Sequence, residues 1–183
     1  MPRIPYPDLT KLEPKVQKML AGTPINVVRM AAHASPIIFE AGGLMGYGIS
    51  DPANLDPRVR ETVILRVAYI SNSKYELYQH LSIAQAVGLT AEEIAAIGAV
   101  QYDKLNPLLA TVARFTDDVV VNVSPSDDNL AALRALVSDR VLVNITMTIG
   151  QYMNVARLIA VTGPDIDDQA LKHLPTDIED QAR

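Results

Sequence analysis

The sequence predicts an all-helical protein that forms one domain over residues 1–183. Apolar residues recur at every third or fourth position through most of the chain, which is the period of a helix with one buried face. Helix-start signals precede several of these runs, notably Asp56-Pro57 and Thr90-Ala91-Glu92-Glu93. Apolar residues make up 49% of the 183, which is enough for a full-sized core.

The amino-terminal part is predicted to be an extended arm followed by helices. Residues 1–15 contain four prolines, which fix φ and remove backbone donors, so this arm should run across a surface. Apolar positions between Thr23 and Phe39 predict helix, in which Pro36 begins a new segment. Four glycines between residues 42 and 48 should loosen the next stretch, although it can still be helical.

A pair of helices is predicted in the centre of the chain. Asp56 can accept from early helix amides and Pro57 loses no hydrogen bond there, so a helix begins at this point. Its apolar residues predict burial on most sides. After residues 71–73 a second helix should run from Tyr75 to Val87 and end at Gly88.

The remainder of the chain is also predicted to be helical. The Thr90–Glu93 segment has the pattern of a capping box and begins a short helix. Further helices are expected from Pro107 to about residue 121, from residues 126–127 to 137, and from residues 138–139 to Gly163-Pro164. Residues 165–183 are polar and acidic, and we expect this tail to clasp a neighbouring subunit.

Composition excludes several classes of function. The formal charge is −5 and the basic residues are scattered, so nucleic acid is not an expected partner. The chain has no cysteine, which removes disulfides, thiolate metal sites and cysteine nucleophiles and favours a cytoplasmic location. Neither a signal peptide nor a membrane-spanning stretch is visible, so a soluble protein is expected.

One polar group on the second helix of the pair could carry chemistry. Glu76 and His80 are one helical turn apart, on a stripe that begins at Ser73, so the carboxylate could orient the imidazole for acid–base work. Glu61 could approach the same place if the two helices pack antiparallel. The alternatives are a satisfied polar pair with a structural role and, less favoured, a metal site of one histidine and two glutamates.

Other side chains are candidates for substrate contact. Arginines in mainly apolar helices need either a carboxylate partner or an anionic ligand; these are Arg29, Arg66 and Arg157. Tyr75 is a candidate interface or pocket aromatic, and Tyr47 and Tyr152 are expected to line a pocket.

Two segments of the central helix pair carry a resemblance to a known family. They are Asp56-Pro57-Arg58-Val59-Arg60-Glu61-Thr62-Val63-Ile64-Leu65-Arg66-Val67-Ala68 and Tyr75-Glu76-Leu77-Tyr78-Gln79-His80. This sequence resembles the carboxymuconolactone decarboxylase family, which includes the AhpD-type alkylhydroperoxidases. The resemblance covers roughly residues 20 to 163. It implies an AhpD-like helical domain with a central antiparallel helix pair, assembled into dimers, trimers or hexamers. It also implies a site at Glu61 and His80.

The resemblance also separates two branches of that family. In the peroxidase branch a Cys-x-x-Cys pair precedes the histidine, and here Ser73 and Glu76 stand at those positions, so thiol peroxidase chemistry is excluded for this chain acting alone. The decarboxylase branch needs no metal or organic cofactor. It implies a lyase or isomerase acting on a small acidic carbonyl or lactone compound.

The roles expected on this basis are specific. His80 would be the general acid or base, with Glu76 orienting it and Glu61 sharing the proton relay, and Ser73, Tyr75 and Arg66 would contact the substrate. No metal and no cofactor are expected. The rival from another class is a non-catalytic oligomeric binding protein of the same fold.

Overall fold

A computed structural model of the protein describes residues 1–23 and 25–171. Within these residues the chain is helical, with two short 3-10 turns and no strand, which confirms the predicted fold class. The α-helices are α1 (Pro14–Gly22), α2 (Asn26–Ala31), α3 (Pro36–Ser50), α4 (Pro57–Ile70), α5 (Lys74–Ala86), α6 (Ala91–Ala99), α7 (Pro107–Asn122), α8 (Asp127–Arg134) and α9 (Asp139–Thr162). The 3-10 turns are Leu9–Lys11 and Tyr102–Lys104.

Helix α4 lies at the centre of the molecule. Every residue from Val59 to Ala68 is buried, because α5, α7 and α9 pack around the helix. The prediction that α4 is buried on most sides is therefore confirmed. A helix that is enclosed in this way must also bury polar side chains, and each of those needs a partner within the fold.

Helices α4 and α5 form an antiparallel hairpin. The turn between them is short because Asn72 adopts a left-handed conformation, with φ of 51°. Ser73 caps the second helix, where its hydroxyl accepts from the amide of Glu76 at 3.5 Å. Residues at equal distances from the turn consequently face each other, as Glu61 and His80 do.

The predicted helix starts are present. The Asp56 carboxylate accepts from the amides of Arg58 and Val59, and Thr90 and Glu93 cap each other reciprocally at the start of α6. Each of these caps contributes roughly 1 kcal/mol to stability. Together they fix where α4 and α6 begin, and α4 supports the site.

The amino-terminal region differs from the prediction in two places. The proline-rich arm ends earlier than expected, because α1 begins at Pro14 and buries Val16 and Leu20 against Phe39. The glycine-rich stretch is not loosened but lies within α3. The helical cost of glycine, roughly 1 kcal/mol each, is offset by the packing of α3 against α1 and α9.

The two ends of the described chain meet beside α9. The amide of Arg3 donates to the Thr162 carbonyl at 2.8 Å, and the Asp165 amide donates to the Tyr6 hydroxyl at 3.0 Å. Residues 165–171, here called the strap, fold back over α5 of their own chain; the rest of the tail, in which a clasp was expected, lies outside the described residues. In the part of the chain that is described, no helix is long and apolar enough to cross a membrane.

Candidate functional site

The α4–α5 hairpin brings a histidine and a glutamate together in the interior. His80 Nδ1 lies 2.9 Å from Glu61 Oε2, and both side chains are buried. The other oxygen of Glu61 accepts from Arg60 Nε at 2.9 Å, and Arg60 Nη1 donates to the Ser50 carbonyl at 2.9 Å. The imidazole is therefore held by a carboxylate that is itself held by a guanidinium.

This arrangement sets the tautomer of His80. A carboxylate that already accepts from Arg60 also accepts from His80, so the shared proton lies on Nδ1. In the neutral ring Nε2 then carries the lone pair. Since Nδ1 is engaged by Glu61, Nε2 is the nitrogen that remains for a ligand.

The sequence led us to expect that Glu76 orients the imidazole of His80, but in the structure it does not. Glu61 occupies that position, and neither oxygen of the Glu76 carboxyl has a hydrogen-bond partner among the described residues. Glu76 is only 2% exposed. Burial raises the pKa of Glu76 to about 8, and the nearby Ser73 hydroxyl offsets part of the rise. At neutral pH Glu76 is therefore mainly a neutral carboxylic acid that can donate a hydrogen bond.

His80 and Glu76 both lie at the wall of a cavity of about 380 Å³. The cavity is enclosed by α1, α2, α3, α5, α9 and the strap, and this volume is within the usual range of a small-molecule site. Most of its lining is apolar, from residues such as Val28, Ile38 and Leu158. A ligand in this space would touch His80 and Glu76 at one end and hydrocarbon elsewhere.

Three glycines of α3 leave the space for this cavity. Gly42, Gly43 and Gly46 line it, and a Cβ atom added at Gly42 or Gly46 would meet nothing within 4 Å. The glycine run that predicted a loosened chain therefore has another explanation. It keeps one face of α3 free of side chains beside the site.

Tyr152 completes the polar end of the cavity. Its ring meets that of His80 edge to face, with the centroids 5.1 Å apart. Burial, followed by the negative charge of Glu61, raises the pKa of Tyr152. The hydroxyl therefore stays protonated at neutral pH. The expectation that Tyr47 and Tyr152 line a pocket is confirmed.

The strap closes one side of the cavity. Its Asp167 carboxylate accepts from the Asn26 amide at 2.9 Å, from Gln79 Nε2 at 2.7 Å and from the Tyr75 hydroxyl. Leu171 lines the cavity, and its amide donates to Gln79 Oε1 at 2.7 Å. Tyr75 and Gln79 therefore both line the cavity and hold its cover.

The other residues predicted to contact substrate are placed differently. Arg66 points away from the cavity, where Nε pairs with Asp117 at 2.7 Å and Nη1 donates to the Ile97 carbonyl. Ser73 acts as a helix cap and does not line the cavity. Of the three proposed contacts, only Tyr75 lies at the cavity wall.

The sequence did not predict roles for Arg60, Gln79 and Asp167. Neighbours in a helix point in different directions, so nothing in the spacing places Arg60 beside Glu61. Asp167 is distant from α5 in the sequence, and only the fold of the strap brings them together. Glu61, Glu76 and His80 do not form a metal site, and no cluster that could hold a metal occurs in the residues described.

Comparison with solved structures identifies the fold. A protein of unknown function from Agrobacterium tumefaciens, named as a candidate antioxidant defence protein AhpD, has a TM-score of 0.65 and 22% identity, over 76% of this chain and 94% of that one. A peroxidase-related protein from Ralstonia eutropha JMP134, described as an alkylhydroperoxidase AhpD core, has a TM-score of 0.76 and 18% identity, over 91% and 93%. The chain is thus a helical protein of the AhpD-like fold.

One part of the sequence matches a family model. Residues 41–118 match the model of the carboxymuconolactone decarboxylase family, and the chain contains no cysteine. The matched segment contains α4 and α5 and therefore Glu61, Glu76 and His80. No curated protein matches the sequence.

Proposed function

We propose that the protein is a cofactor-independent lyase or isomerase that moves a proton on a small carbonyl or lactone compound. One observation carries this proposal: the buried carboxyl group of Glu76, which has no hydrogen-bond partner among the described residues, shares a cavity with His80, whose Nδ1 is held by Glu61. Leaving a buried polar group unsatisfied costs roughly 1–3 kcal/mol. Such a cost is characteristic of sites that complete their hydrogen bonds with a ligand.

The geometry supports distinct roles for the polar groups. His80 Nε2 would take a proton from the carbon beside the carbonyl, while Glu61, which Arg60 holds in place, stabilises the imidazolium that forms. Glu76 and Tyr152 would donate hydrogen bonds to the carbonyl oxygen as it gains negative charge. In this proposal Glu76 acts on the substrate directly, rather than by orienting His80.

Two outcomes follow from the same enolate. In an isomerase, the proton on His80 returns to a different carbon of the ligand. In a lyase, the enolate forms when a carboxylate leaves as carbon dioxide, and His80, which has taken a proton from solvent, then supplies that proton to carbon. Both reactions balance without an oxidant or a reductant.

Deuterium exchange tests this proposal without a known product. A panel of lactones, ketones and β-keto acids would be incubated in D₂O with wild type, His80→Ala or His33→Ala, and the loss of proton signals and of carboxylate would be followed by NMR. His33 is a control because it is exposed and lies outside the cavity, where its ring contacts the Pro5 carbonyl. We expect His80→Ala to slow exchange by roughly 100-fold or more, with His33→Ala unchanged. Exchange that survives in His80→Ala would refute the proposed role.

A non-catalytic binding protein is the second candidate. The mainly apolar lining of the cavity favours it, because such a lining retains a ligand without requiring chemistry. Saturable binding of a compound that wild type leaves unchanged, with neither exchange nor breakdown, would favour this candidate.

We also propose that the protein works in the cytoplasm as a homo-oligomer. The absence of cysteine fits a reducing compartment. Large apolar side chains are exposed on α3 and α9, among them Ile37, Leu44 and Val161. Sedimentation at several protein concentrations would test the assembly, and a monomer throughout would contradict it.

A further inference from the structure

We infer that the cavity takes an uncharged, mainly apolar ligand with one carbonyl group, so that the chemistry is isomerisation rather than decarboxylation. This inference rests on the proposed function and names its substrate class. It departs from the acidic substrate that the sequence led us to expect. A decarboxylase must bind a carboxylate, and the described residues that line the cavity include no lysine or arginine to receive one.

The charges around the cavity disfavour an anionic ligand. None of the lining residues in the described part of the chain is a lysine or an arginine. The carboxyl groups of Glu61 and Asp167 lie directly behind the lining, where they bond to His80 and to Tyr75 and Gln79. An anionic ligand would lose its hydration here, would meet carboxyl groups nearby and would gain no ion pair.

Each guanidinium group near the cavity is already bound to other parts of the protein. Arg60 is bound to Glu61 and to the Ser50 carbonyl, deep in the interior. Arg29 lies over the Tyr6 ring, 4.3 Å from its centroid, and donates to Asn26. Moving either one to a ligand would break contacts that the fold already uses.

The cavity offers hydrogen-bond donors at one end and an apolar lining elsewhere. The Glu76 carboxyl group has no partner among the described residues, the Tyr152 hydroxyl stays protonated, and both residues line the end of the cavity where His80 lies. Two neutral donors suit a carbonyl oxygen, which has two lone pairs. The remaining lining is hydrocarbon, which stabilises an apolar body by roughly 25 cal/mol per Å² buried.

A matched pair of ligands tests this inference by binding alone. The neutral ketone 2-acetonaphthone and the anion 2-naphthoate share a ring system of similar size. Calorimetric titration near pH 7 should give the ketone a dissociation constant at least about tenfold lower than that of the carboxylate. Equal or tighter binding of 2-naphthoate would overturn the inference, and so would binding of neither compound.

A filled cavity shows where the ketone binds. Gly46→Leu places a side chain into the cavity, whereas Gly150→Leu adds the same side chain at an exposed site on α9. The ketone affinity should fall at least about tenfold in the first variant and stay within about twofold in the second. Gly42→Leu replaces Gly46→Leu if circular dichroism shows that the latter is unfolded. An unchanged ketone affinity in a folded, filled variant would overturn the inference.

The outcome is separable from that of the proposed function. Preference for the ketone can hold although His80→Ala leaves proton exchange unaffected, in which case the proposed chemistry fails and the ligand class stands. Conversely, turnover of a carboxylated lactone that depends on His80, together with tighter binding of 2-naphthoate, would retain the chemistry and discard the neutral ligand.

Discussion

Helix α4 carries two buried arginines, and the two clusters that they anchor differ in how completely they are satisfied. Arg66 binds Asp117 and the Ile97 carbonyl, and the second oxygen of Asp117 accepts from the Tyr102 hydroxyl. We call this the closed cluster, since its polar groups find partners within the fold. It is packed between helices, and none of its side chains lines the cavity.

The open cluster, formed by Arg60, Glu61, His80 and Glu76, begins in the same way and ends differently. Arg60 binds Glu61 and Glu61 binds His80, but the carboxyl group of Glu76, at the cavity wall, has no partner among the described residues. A buried ion pair alone therefore does not identify a functional site, because both clusters contain one. Unsatisfied polar atoms beside an empty volume distinguish the open cluster from the closed one.

The largest effect that we expect concerns stability at the closed cluster. Arg66→Met should lower the free energy of unfolding by about 3–5 kcal/mol, because it leaves Asp117 without its cation in a mainly buried setting. Urea unfolding measures this change. The rate of deuterium exchange per folded molecule should stay within about twofold of wild type.

The matched control is an arginine–aspartate pair at the surface. Arg134 and Asp139 are 59% and 78% exposed, so Arg134→Met should cost no more than about 1 kcal/mol. Equal losses in the two variants would contradict the view that the closed cluster has a structural role.

The second prediction concerns the pH dependence of stability at the open cluster. Folding raises the pKa of Glu76 from 4.5 to about 8, so over this range the folded protein keeps a proton that the unfolded chain loses. Stability should therefore fall as the pH rises through this window and then level off. Glu76→Gln removes this loss and should exceed wild type by on the order of 3 kcal/mol at about pH 9.

Urea unfolding at about pH 5, 7 and 9 checks this prediction. The control is Glu92→Gln on α6, an exposed glutamate, which should follow the wild-type profile. A Glu76→Gln variant that parallels wild type at all three pH values would show that Glu76 is ionised in the folded protein at neutral pH.

The smallest effect concerns the strap that covers the open cluster. Asp167→Asn weakens an acceptor that holds the Asn26 amide, Tyr75 and Gln79. Local opening of the strap should become easier by about 1–2 kcal/mol, which speeds hydrogen exchange of the Leu171 amide by roughly tenfold. The neighbouring Asp168→Asn is exposed and should leave that rate unchanged. Equal rates in the two variants would contradict a holding role for Asp167.

Much of the fold could be predicted because local signals set it. Asp56-Pro57 and the Thr90–Glu93 box mark helix starts through hydrogen bonds within one turn, and the structure contains both. Gly163 ends α9 in a left-handed conformation, as expected from its position. The glycine run left both a loosened and a helical stretch open in the prediction, and it is helical because the packing of α3 against other helices outweighs low helix propensity.

The site could be predicted only in part. The pairing of Glu61 with His80 follows from the hairpin together with the family resemblance. The unpartnered state of Glu76 does not follow, because it depends on which of the two carboxyl groups, Glu61 or Glu76, contacts the imidazole in the folded protein. Likewise, no local pattern connects Asp167 to α5, since contacts between distant parts of a chain depend on the whole fold.

The central claim is that the cavity holds a neutral carboxyl group at neutral pH, and carbon-13 NMR measures this directly. With glutamate labelled at its carboxyl carbon, wild type and Glu76→Gln would be titrated in parallel. We expect one resonance that titrates near pH 8 in wild type and is missing from the variant. If every glutamate in wild type instead titrates below about pH 6, Glu76 is ionised at neutral pH and the account is contradicted.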